Sequence, residues 1–116
     1  MGVILWCECF FYINTIMKTE LLNEILGIVS EVCEVEYESI LSHCKKEEVL
    51  YARCIFVNKC KDYGIPNHVL AEFLNRHRGC VIDSYVQSYK YFHKQSYIFR
   101  LCDAKVSERV AAKFPV

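Results

Sequence analysis

Glycine and proline are scarce, with four and two among 116 residues. A sandwich or barrel places turn residues about every ten positions, so this scarcity excludes a turn-rich all-β chain and favours helices. Net charge is also absent, with 14 basic and 14 acidic side chains. A chain that is 53% hydrophobic and 14% aromatic is neither disordered nor collagen-like. The length suits one domain with a modest core. Catalytic signatures are missing too. No phosphate-cradling glycine loop, paired-carboxylate pattern or locally activated cysteine–histidine pair occurs. The expectation is a non-enzyme without a cofactor. Cys7, Cys9, His43, Cys44, Cys54, Cys60 and His68 are ligand types, but none follows a zinc-binding spacing, so no metal is expected.

Long apolar runs are limited to the start. Residues 1–16 are too short to span a bilayer, are interrupted by Glu8, and lack the basic flank and cleavage site of a signal peptide. They read as an apolar extension, or as sequence upstream of an internal start at Met17. Residues 17–116 read as a single helical domain. Eight cysteines, five of them (Cys33, Cys54, Cys60, Cys80, Cys102) among apolar neighbours, fit reduced thiols behaving as small hydrophobes. A cytoplasmic chain with no membrane span is expected.

The zero net charge hides an asymmetry. Residues 1–48 hold three basic and nine acidic side chains, whereas residues 49–116 hold eleven basic and five acidic ones. A basic half of this kind fits either a polyanionic partner or an ordinary mixed surface.

Apolar periodicity predicts six helices. The first runs from about Thr19 to Val32, with Leu22, Ile25, Leu26 and Val29 on its stripe. A short one lies near Tyr37–Ser42. The third, about Glu47–Asp62, opens on two glutamates, closes on lysines and stops at Gly64 and Pro66. A short fourth helix, about His68–Leu74, is capped by Asn67. The fifth runs from about Gly79 to His93 with Ile82, Tyr85, Val86, Tyr89 and Phe92 apolar. A sixth, about Ser96–Lys113, turns Ile98, Leu101, Cys102 and Val110 inward.

Short helix, tight turn and longer helix is the order of a helix-turn-helix. Here the turn and the start of the longer helix carry Arg76, His77 and Arg78, whose side chains suit phosphates or guanine edges. The stretch LAEFLNRHRGCVIDS, residues 70–84, resembles the signature of the C-terminal DNA-binding domain of the bacterial replication initiator DnaA. Leu70, Ala71, Leu74, Arg76, Val81, Ile82 and Ser84 match its pattern. Upstream, ILGIVSEVCEVEYESILSHCKK is similar to that domain's first two helices and basic loop, and VLYARCIFV to its long central helix, with Arg53 at the expected arginine.

The resemblance covers about residues 21–112. It implies an all-α compact bundle of about six helices containing a helix-turn-helix, of the DnaA C-terminal or Trp-repressor-like type. Arg78, Gly79 and Cys80 replace the family's histidine and Ser/Thr pairs, and Val86 and Gln87 replace its Arg-Lys. The expected function is therefore double-stranded DNA binding through the helix-turn-helix, sequence-specific or dominated by phosphate contacts, in replication initiation, its regulation or transcription control.

The residues expected at DNA are Lys45, Lys46, Arg53, Arg76, His77, Arg78, Gly79, Cys80 and Lys90. Arg53, in a mostly apolar helix, either meets a phosphate at the rim or pairs internally with an acid. Lys90 and Lys94 either extend a phosphate track or form a solvated face. The alternative function is a protein-interaction module that keeps the fold without base readout, its partner a separate replication or regulatory protein.

Overall fold

The computed structural model describes residues 19–76 and 79–114, with only the backbone described at residues 79 and 80. These residues form six helices and no strand. Residues 19–33 are α1. They are followed by α2 (Tyr37–Leu41), α3 (Glu47–Asp62), α4 (Asn67–Phe73), α5 (Gly79–Gln95) and α6 (Tyr97–Lys113). Among these helices none is long and apolar enough to cross a membrane.

The α3 helix is the axis of the bundle. Its residues Ala52 to Val57 are all buried, as are Val49 and Cys60. Burial on every side explains its continuous apolar run, since a helix covered all round has no face to leave polar. The α1 stripe of Leu22, Ile25, Leu26 and Val29 joins the same core. So do Leu70, Ala71 and Leu74 from the α4 segment, and Ile82 and Tyr85 from α5.

A second focus is aromatic. Phe99 of α6 is fully buried and meets Tyr51 of α3 at 5.2 Å and Tyr89 and Phe92 of α5 at 5.4 and 5.7 Å between ring centroids. Tilted and edge-on geometries at these distances add to the burial of the rings themselves.

Three of the helix ends are built alike. In each, a residue with positive φ follows the helix, and the next two amides bond back in the paired pattern of a Schellman turn. Glu34 (φ 55°) donates to the Glu31 carbonyl and Val35 to that of Ser30. Gly64 (φ 77°) donates to Lys61 and Ile65 to Cys60. Asn75 (φ 56°) donates to Glu72 and Arg76 to Ala71. The residue closing such a turn folds back against the helix, and Val35 and Ile65 are accordingly buried there. At the third turn that position belongs to Arg76.

Two local expectations are corrected. Asn67 does not cap α4: Pro66 takes the cap position, and Asn67 is the first helical residue. Its amide donates to Asp83 of α5, and its carbonyl oxygen accepts from Lys61. The inward face of α6 is Phe99, Asp103, Val106 and Val110, while Ile98 and Leu101 are 67% and 45% exposed. On this face Asp103 meets one hydroxyl donor and an ammonium charge, while its Oδ1 accepts no hydrogen bond among the described residues. The Tyr89 hydroxyl donates to its Oδ2 at 2.7 Å, and the Lys59 ammonium lies 3.6 Å from its Oδ1. Burial, and then the bond to Asp103, push the Tyr89 hydroxyl pKa up.

Glu34 and Gly64 occupy the same left-handed position, which L side chains resist. Glu34→Gly is expected to stabilise the chain, by up to about 1 kcal/mol, and Gly64→Ala to destabilise it by about 1 kcal/mol. Urea unfolding monitored by circular dichroism checks both signs.

Candidate functional site

The basic residues expected to act together come from three places: the α2–α3 connector, the middle of α3 and the α4–α5 turn. Arg53, on the α3 face toward α2, is 3% exposed. A buried guanidinium needs acceptors, and here they are backbone carbonyls. Its Nε donates to Ile40 at 3.0 Å, its Nη2 to Ser42 at 2.9 Å, and longer bonds reach Ser39 and Cys44. These oxygens belong to the end of α2 and the connector, which carry the carbonyls that a helix C-terminus leaves open. Arg53 thus pairs internally, with carbonyl oxygens and not with an acid.

Arg76 reaches the same point from the opposite side. Its position at the end of the α4 turn sends the side chain inward. Nη1 donates to the Leu74 carbonyl at 2.8 Å, Nε to the Tyr85 hydroxyl at 3.1 Å and Nη2 to the Ser42 carbonyl at 2.8 Å. The Ser42 oxygen therefore accepts from both arginines. Tyr85 bridges them, its ring 5.9 Å from the Arg53 guanidinium carbon and its hydroxyl on Arg76. Among the described residues, no carboxylate lies within ion-pair distance of either arginine. Desolvation is the largest influence on Arg53 and lowers its pKa; the Tyr85 hydroxyl opposes this, and the Arg76 charge adds to it.

The arginines, Tyr85 and the connector residues His43, Cys44 and Lys45 line an open recess of about 330 Å³. Lys45 and Lys46 are exposed, and Lys46 also holds the N-cap position of α3. Along α5 the exposed residues Asp83, Gln87, Lys90 and Lys94 recur at helical spacing, so Lys90 lies on a solvent-facing stripe away from the recess. His77 and Arg78 lie outside the described residues, and of Gly79 and Cys80 only the backbone is described. The structure thus brings Lys45, Arg53 and Arg76 to one recess and leaves Lys46 and Lys90 outside it.

Sequence reasoning missed two members. Tyr85 reads as one more apolar position of α5, and only its hydroxyl makes it a link to Arg76. Ser42 contributes its backbone, which no side-chain pattern reveals. Among the described residues, no cluster of His, Cys, Asp and Glu is arranged to hold a metal. Cys54 is buried, and burial pushes its thiol up to about 12, which makes it a poor nucleophile. Comparison with known protein families, curated proteins and solved structures finds no match for this chain.

Removing the Arg53 guanidinium would leave the Ile40 and Cys44 carbonyls without a donor among the described residues. Arg53→Met is expected to cost about 3 kcal/mol, with little recovery in Arg53→Lys because one ammonium cannot fork onto carbonyls set on both sides. Denaturant midpoints of the two variants and the parent chain check this.

Proposed function

We propose that the chain binds double-stranded DNA through α4 and α5, mainly by contacts to phosphates. The observation that carries this reading is the junction between a seven-residue helix and a 17-residue helix, fixed by Arg76 to a connector that exposes Lys45 and Lys46. Such a junction lets the short helix brace the longer one at a groove. The sequence likeness of residues 70–84 to the DnaA-type domain supports the same reading, with a role in replication initiation, its regulation or transcription control. In this reading Lys45, Lys46 and Arg78 meet phosphates beside the groove, and Lys90 and Lys94 continue the positive track along α5. Arg53 and Arg76 hold the frame through their bonds to the Ser42 carbonyl and its neighbours.

A second reading has its own observation. The first turns of α6 expose Tyr97, Ile98 and Leu101, an apolar surface that suits a protein partner.

The two are separated by fluorescence anisotropy with a DnaA-box duplex and a scrambled duplex over a range of salt. The expected result is similar affinity for both duplexes, falling steeply with salt. Replacing Lys45 and Lys46 by Ala should flatten the logarithmic salt slope by about two, one per lost phosphate contact. Absence of binding to either duplex at low salt overturns the DNA reading and leaves the protein-interaction one.

A further inference from the structure

We propose that the recess between the α2–α3 connector and the α4–α5 turn binds one phosphate-class oxyanion, held by Arg76, His43 and Lys45 with Arg53 behind them. Two guanidinium groups converge on a single carbonyl oxygen at 2.9 and 2.8 Å. Like charges this close repel, and the usual remedy is a carboxylate between them. None of the described carboxylates is within ion-pair reach. A carbonyl dipole neutralises neither charge, so among the described residues the pair has no counter-anion.

The recess beside them is open to solvent, and the side chains at its mouth, His43 and Lys45, are exposed. A guanidinium carries five N–H groups. Three of those on Arg76 have partners among the described residues, and the other two are the donors proposed for an incoming oxygen pair. A tetrahedral oxyanion with oxygens on several sides matches a guanidinium fork joined by an ammonium and an imidazole. A volume of about 330 Å³ admits such a group. The phosphate can come from a nucleic-acid backbone, in which case the site rests on the DNA-binding reading above. It can also come from free inorganic phosphate, in which case it does not.

The test is a titration of the full chain with inorganic phosphate, followed by the arginine side-chain Nε–H signals in nuclear magnetic resonance. Sodium chloride at matched ionic strength is the control. Saturable shifts of the Arg53 and Arg76 signals with phosphate, and none with chloride, are expected. Replacing both His43 and Lys45 by Ala touches only exposed side chains and should weaken phosphate at least about tenfold, a loss that thermal unfolding of the parent and variant shows not to be misfolding. Arg76→Lys should weaken it as much, because the fork is lost.

Shifts no larger than those with chloride overturn the site, as does affinity unchanged in both variants. A duplex added to the phosphate-bound chain separates the sources. Displacement of phosphate assigns the site to backbone phosphates. Retention of phosphate assigns it to free phosphate and leaves the recess standing even where duplex binding fails.

Discussion

Two arginines share the Ser42 carbonyl oxygen, and the position of the α4–α5 pair against the rest of the chain depends on that sharing. The α2 helix has five residues, too few to be stable alone. Its last carbonyls and those of the connector take much of their hydrogen bonding from a side chain. Arg53, fixed in the most buried stretch of α3, supplies donors to four of them. The connector is thereby set in one conformation, and its Ser42 oxygen becomes a fixed acceptor for Arg76. Through Arg76 and Tyr85 the turn before α5 takes its place. A backbone oxygen early in the chain is so tied to the end of α4 and to α5.

The elements around this point divide the work of folding. Dispersion and burial come from the α3 core and from Phe99, whose aromatic neighbours tie α3, α5 and α6 together. Direction comes from polar contacts at the edges of that core. Asp103 orients α6 against Lys59 and Tyr89, and the Arg53–Ser42–Arg76 contacts orient α4 and α5 against α2. Exposed pairs between α1 and α6, Glu31 with Arg109 and Glu24 with Lys113, add little to stability but mark the two helices as antiparallel neighbours.

The all-α class and the helix order were legible in the sequence, and the physical reasons are specific. The limits of α3 follow from glutamates at its start, lysines at its end, and Gly64 at a position that needs positive φ. The inward face of α6 was not legible, because its stripe includes Asp103, an acid that pattern reading sends to solvent. Lys59 and Tyr89 make its burial tolerable, and both lie on other helices. The candidate site was legible only as residue types. Arg53 and Arg76 stand out as charges in apolar surroundings, but their common acceptor is a backbone oxygen 34 residues before Arg76. The left-handed turn at Asn75 that aims Arg76 inward carries no glycine to announce it.

In the proposed reading DNA docks on the surface spanning the connector and α5. Amide chemical-shift mapping of the isotopically labelled chain with a short duplex locates the docking surface. Shifts concentrated at residues 43–46, at the α4–α5 turn and along the exposed stripe of α5 are expected. Shifts absent from those segments, or confined to Tyr97–Leu101 of α6, would overturn the reading.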